Sequence, residues 1–139
     1  MTPFDRQVRA QIYRLLVNGS KQVDSHSLAA SRGWDPDEVA AALRRLDSEH
    51  RIALMPETDR VWMAHPFSGV ETAHSSAVGD RSWFANCAWD ALAILALLGD
   101  GTARSGDTAW EVRRGVVEPN HLIHLQVPVR RFWEDIGFT

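Results

Sequence analysis

Asp35-Pro36-Asp37-Glu38-Val39-Ala40-Ala41-Ala42-Leu43-Arg44-Arg45-Leu46 carries the clearest local signal in this 139-residue chain. Asp35 suits an N-cap, because a short carboxylate can accept hydrogen bonds from the unpaired N–H groups of a first helical turn. Pro36 fits the first helical position, where its fixed φ is preset and its missing N–H costs nothing. Glu38 completes a capping-box spacing with Asp35. Val39, Ala42, Leu43 and Leu46 then fall on one stripe, so this helix buries one face.

Working outward, Phe4, Val8, Ile12, Leu15 and Leu16 recur at helical spacing between Pro3 and Val17, and Asn18-Gly19 supplies a stop. Asp24 reads as the N-cap of a short helix through Leu28, Ala29 and Ala30 that ends at Gly33. After the third helix, Arg51-Ile52-Ala53-Leu54-Met55 and Arg60-Val61-Trp62-Met63-Ala64 flank the turn-rich Pro56-Glu57-Thr58-Asp59, a β-hairpin pattern. Three helices and a hairpin predict a winged-helix-like lobe over residues 1–64. His65-Pro66-Phe67-Ser68-Gly69 breaks periodicity and 71–80 is small and polar, so residues 65–80 are expected to form a linker or ordered loop.

A helix is expected from about Ser82 to Leu98, closed by Gly99-Asp100-Gly101. Ala109 to Val112, Gly115 to Val117 and Leu122 to Val127 read as short antiparallel strands, and Arg130 to Ile136 as a last helical turn. The class is α+β, with the second lobe, residues 81–139, built on one central helix and a small sheet. The close at Gly137-Phe138-Thr139 has no polar tail and reads as a cut end.

Bulk properties bound the setting. The longest apolar run, Ala91 to Leu98, is far shorter than the roughly 20 residues that span a bilayer. The N-terminus has no signal-peptide pattern, and one cysteine excludes an internal disulfide framework, so a cytoplasmic location is expected. A net charge of −3 argues against general affinity for nucleic acid or anionic membrane. Residues 1–64 carry nine Lys/Arg and nine Asp/Glu, and the third helix bears Asp35, Asp37, Glu38, Asp47 and Glu49 against Arg44 and Arg45. Winged helices commonly read DNA through a basic third helix, so this balance favours a structural role for the lobe and leaves nucleic acid as the less favoured partner.

The single cysteine, Cys87, precedes Asp90 by three positions. On a helix such residues share a face, with Cβ atoms about 5–6 Å apart. A cysteine in a first helical turn gains thiolate character from the positive end of the helix dipole, and Cys87 is so placed if the helix proper starts near Asn86, a plausible N-cap. A soft nucleophile and an acid could therefore converge on one ligand, although a free cysteine also serves as a small buried hydrophobe.

Trp83-Phe84-Ala85-Asn86-Cys87-Ala88-Trp89-Asp90-Ala91-Leu92, with Leu97-Leu98-Gly99 after it and His65-Pro66-Phe67-Ser68-Gly69-Val70 before it, resembles the active-site region of organomercurial (alkylmercury) lyases. The run from His124 to Thr139 resembles a later segment of that family. The resemblance implies a winged-helix-like domain ahead of a mixed α/β catalytic lobe. It also implies protonolysis of a carbon–mercury bond: thiolates capture the soft metal and an aspartic acid protonates the leaving carbon. By position Cys87 becomes the mercury-binding nucleophile, Asp90 the proton donor, and Trp83, Phe84 and Trp89 candidate pocket walls. Mercury enters as substrate, and no cofactor is implied.

Two departures stand against full activity. The family's second cysteine would come from a segment following Phe138-Thr139, and many relatives carry a cysteine pair where this chain has Arg104-Ser105-Gly106-Asp107-Thr108. The expectation is a divergent or C-terminally truncated member with compromised chemistry. The alternatives are a winged-helix regulator or metal-responsive sensor, and a non-catalytic ligand-binding domain. Six histidines offer no zinc spacing, and His121 and His124 would face opposite ways in a strand.

Overall fold

Each of the first three helices starts at a side-chain cap. In the computed structural model, which describes residues 1–119, 123 and 127–137, α1 spans Pro3–Val17, α2 Ser25–Arg32 and α3 Pro36–Ser48. Thr2 and Asp5 form a reciprocal box at α1: Asp5 N–H donates to Thr2 Oγ1 at 3.1 Å, and Thr2 N–H to Asp5 Oδ2 at 2.6 Å. Asp24 and Ser27 do the same at α2, which Gly33 ends in the left-handed conformation that glycine adopts freely. At α3 the cap is one-sided: Asp35 Oδ1 accepts from the N–H groups of Asp37 and Glu38 at 2.9 and 3.0 Å. Val8, Ile12, Leu28, Val39, Leu43 and Leu46 are fully buried between these helices, each contributing roughly 1.5–3 kcal/mol.

One ion pair locks α1 to α3. The Arg45 guanidinium donates through Nε and Nη2 to Asp5 Oδ1 at 3.0 and 2.6 Å, and the Asp5 side chain is 1% exposed. The Arg45 hydrogen bond holds the Asp5 carboxyl at about 2, against the opposing effect of burial. Arg45 therefore faces a carboxylate of its own chain, which leaves Arg44 as the remaining arginine of α3.

The hairpin forms as β1 (Ala53–Leu54) and β2 (Val61–Ala64), with a third antiparallel strand, β3 (Phe67–Ser68), beyond β2. The linker or loop expected over 65–80 is thus corrected: it holds β3 and also β4 (His74–Val78). The helix expected from Ser82 is shorter at its start. Residues Arg81–Phe84 form β5, paired with β4 across the Gly79-Asp80 turn, and α4 spans only Ala88–Leu98. The reason is tertiary pairing, because a polar strand with one face on a helix shows weak hydrophobic alternation.

Three further strands follow: β6 (Gly101–Ser105), β7 (Thr108–Arg113) and β8 (Val116–Glu118). The antiparallel order is β5-β4-β6-β7-β8. β6 was not expected, because its Gly101-Thr102-Ala103-Arg104-Ser105 sequence looks like a turn and a loop. The strand expected over Leu122 to Val127 lies mostly outside the described residues. The final helical turn appears as a 3₁₀ segment over Val129–Glu134.

α4 lies on the sheet, with Ala91, Ile94 and Leu95 in one buried cluster with Ala103, Trp110 and Val112. Ser76 of β4, buried, donates to Ala91 O at 2.6 Å and ties the helix down. Arg81 and Trp83 both donate to Val17 O at the end of α1, the indole at 3.0 Å. No helix among the described residues is long and apolar enough to cross a membrane.

The Asp5 pair predicts a pH signature. Because its folded pKa lies below the ordinary value of 3.8, its stabilisation is full above about pH 4 and fades as pH falls towards 2. Asp5→Asn should cost about 1–2 kcal/mol near neutrality and flatten the stability profile in that acid window, as measured by urea unfolding from pH 2 to 7.

Candidate functional site

β3 is two residues long, yet it joins the two sheets. On one side it pairs with β2, and on the other Phe67 bridges Ala85, just beyond β5. The Phe67 ring is 2% exposed and meets Tyr13 of α1 edge-on at 6.4 Å. This bridge brings His65-Pro66-Phe67 alongside Ala85-Asn86-Cys87, the segment that opens α4.

Asn86 gathers the resulting acceptors. Its Nδ2 donates to Asp90 Oδ2 at 2.8 Å and lies 3.3 Å from Phe67 O and 3.4 Å from Pro66 O. Reversing the amide would set its oxygen against a carboxylate and two carbonyls, so the network itself assigns the orientation. Asn86 Oδ1 is enclosed without a hydrogen-bond partner among the described residues. An unmet buried acceptor costs about 1–3 kcal/mol, and the contacts on Nδ2 offset that cost.

Asp90, 9% exposed in the first turn of α4, receives a second contact on the same oxygen: His65 Nδ1 lies 3.0 Å from Oδ2. The His65 side chain is 43% exposed, so the imidazole connects a buried carboxylate with solvent. Tyr13 Oη donates to His65 O at 3.0 Å, which anchors this loop to α1. Sequence reasoning missed His65 and Asn86 as partners of Asp90. The available signal was their presence in the two quoted motifs, but only the Phe67–Ala85 bridge reveals that the motifs meet.

Cys87 is the N-cap residue of α4, not a first-turn residue, and its sulfur makes no capping hydrogen bond. It is half-buried, and burial pushes its thiol above the ordinary value. The N–H groups of Asp90 and Trp89 oppose that effect, while the Asp90 charge adds to it. The dipole activation expected from sequence is therefore outweighed by desolvation. The neighbouring Asp90 charge thus disfavours the Cys87 thiolate.

The three aromatic wall candidates are placed differently. Trp83 and Phe84 are strand residues, and strand alternation turns them to opposite faces. Trp83 is core, 4% exposed and bonded to α1, and Phe84 lies beneath the Lys21 ammonium at 4.7 Å. Trp89 is 62% exposed on the first turn of α4, beside Asp90 in sequence. These three do not converge as one wall.

Of the histidines, His74 on β4 contacts Ser105 Oγ at 2.9 Å, and burial lowers its pKa against the pull of Asp90. His50 stacks on Trp133 at 4.4 Å. His121 and His124 lie outside the described residues. No group of three or more His, Cys, Asp or Glu side chains suited to a metal ion occurs among the described residues.

Residues 67–117 match the sequence profile of the MerB alkylmercury lyase family. The fold is similar to the crystal structure of the mercury-bound form of MerB2, with a TM-score of 0.65 and 22% identity. The match covers 84% of this chain and 59% of that one, so the chain spans about three fifths of the solved relative. No curated protein matches the chain.

The raised thiol pKa predicts slow alkylation near neutrality. The rate with iodoacetamide should keep climbing beyond the pH at which a free cysteine levels off. Stopped-time mass spectrometry across pH 6–11 measures it, and Asp90→Asn should move the rise to lower pH.

Proposed function

We infer that this chain, whose residues 67–117 match the alkylmercury lyase family, captures an organomercurial at Cys87 and protonates its carbon from Asp90. The observation that carries this reading is the clamped carboxylate: Asp90 Oδ2 held by Asn86 and His65 at 2.8 and 3.0 Å, one turn along from a half-buried thiol.

The chemistry balances within that pair. In the first step Cys87 Sγ–H passes its proton to the Asp90 carboxylate, sulfur bonds to the mercury of R–Hg–X, and X⁻ departs. In the second step the Asp90 O–H proton goes to the mercury-bound carbon. The carbon–mercury electron pair becomes the new C–H bond, R–H leaves, and Hg(II) remains on the Cys87 sulfur beside the regenerated carboxylate. The soft metal favours thiolate over the oxygen and nitrogen groups nearby. Asn86 and His65 fix the carboxylate so that its proton is aimed rather than free to rotate.

One thiolate leaves Hg(II) with a single sulfur. The bound product therefore limits this chain to about one turnover. The winged-helix-like lobe acts in this reading as a support, because Tyr13 holds the His65 carbonyl and Val17 O anchors β5. A reducing, cytoplasm-like compartment keeps Cys87 available as a thiol.

Two variants separate capture from cleavage. With phenylmercury, Cys87→Ser should lose stoichiometric capture, whereas Asp90→Ala should retain it and release no benzene by gas chromatography. A Cys87→Ser protein that still binds one equivalent would overturn the assignment. His65→Ala should leave capture unchanged and slow benzene release by about 10–100-fold, and Asn86→Ala should do the same.

A further inference from the structure

The zero net charge of the N-terminal lobe conceals an uneven distribution. Pro3, Arg6, Gln7, Ala10 and Arg14 lie along the outward face of α1, opposite its buried Val8-Ile12-Leu16 stripe. Arg32, at the end of α2, and Trp34, in the turn before α3, close the other side of a groove of about 450 Å³. Arg6 and Arg14 are eight residues apart, about 12 Å along the helix axis.

Five of the lobe's nine carboxylates are committed elsewhere. Asp5 pairs with Arg45, Asp24 and Asp35 cap helices, Asp47 accepts from Leu54 N–H at 2.9 Å, and Glu49 pairs with the N-terminal amine. Among the described residues no carboxylate forms an ion pair with Arg6, Arg14 or Arg32. Arg6 donates only to Met1 O, at 3.4 Å, and the Arg32 guanidinium lies 5.5 Å from the Trp34 ring centroid. The same indole also meets Phe4, edge-on at 5.3 Å. Three guanidinium groups thus border one concave site with an aromatic floor that is already packed in place.

We propose that this groove binds a small multivalent anion bearing phosphate or carboxylate groups, with Arg6, Arg14 and Arg32 supplying the charge. Guanidinium forks match both anion types in bidentate geometry. The site's size suits a compact ligand, and the acidic first turn of α3, with Asp37 and Glu38 exposed next to Trp34 in sequence, works against a long polyanion lying across the lobe. The site lies on the outward face of α1 and uses none of the residues assigned to Cys87 and Asp90, so it stands independently of the organomercury reading.

The test is titration of the ¹⁵N-labelled chain with pyrophosphate and, separately, citrate, followed in amide and indole resonances. Saturable shifts are expected at the Trp34 indole and at Gln7 and Ala10, with affinity falling steeply as salt rises. The stronger of the two anions identifies the ligand class. Arg32→Ala and Arg14→Ala should each weaken binding at least fivefold while preserving the remaining spectrum, and Arg44→Ala on α3 should leave it unchanged. Acetate producing equal saturable shifts, variants binding as tightly as the parent, or shifts centred outside the groove would overturn the proposal. So would a short DNA duplex that binds the same residues more tightly than either small anion.

Discussion

The site depends on one amide group. Asn86 Nδ2 faces the Asp90 carboxylate and the carbonyls of Pro66 and Phe67 together, and so welds the start of α4 to the end of the small sheet. Without that group the carboxylate would keep its place on the helix but lose its fixed direction, and two carbonyls of the β3 segment would lose a donor. The Phe67–Ala85 bridge makes the arrangement possible, because it brings segments twenty residues apart into register. Burial of the thiol follows from the same packing, since Cys87 is held between Asn86 and the first turn of α4.

The two ends of the chain's charge inventory serve different purposes. Asp5, buried, pairs with the partly exposed Arg45 and so ties α1 to α3. Asp90 is buried nearly as well, yet its partners are an amide and a half-exposed imidazole, neither of which is a permanent cation.

Much of this was legible in the sequence, for physical reasons. The three helices were readable because caps and apolar stripes are local: Asp24 and Asp35 work within three residues of themselves. The hairpin after α3 was readable for the same reason. β3, β4, β5 and β6 were not, because Ser75-Ser76 and Gly101-Thr102 owe their strand state to neighbours distant in sequence, and the buried Ser76 hydroxyl is satisfied by Ala91 O, fifteen residues away. Cys87 and Asp90 were legible through their spacing and their surroundings. Their environment was not: the helix start falls six residues later than expected, and that moves the cysteine to the cap position and Trp83 into the core. His65 and Asn86 became partners of Asp90 only when the fold closed.

The account stands most directly on what happens to one equivalent of phenylmercury on the intact chain. Intact-protein mass spectrometry over time should first show a phenylmercury adduct at Cys87. It should then show loss of the phenyl group, with benzene appearing in matching amount and mercury retained. A phenylmercury adduct that persists unchanged, or mercury bound at any residue other than Cys87, would contradict the claim that Cys87 and Asp90 act as one unit.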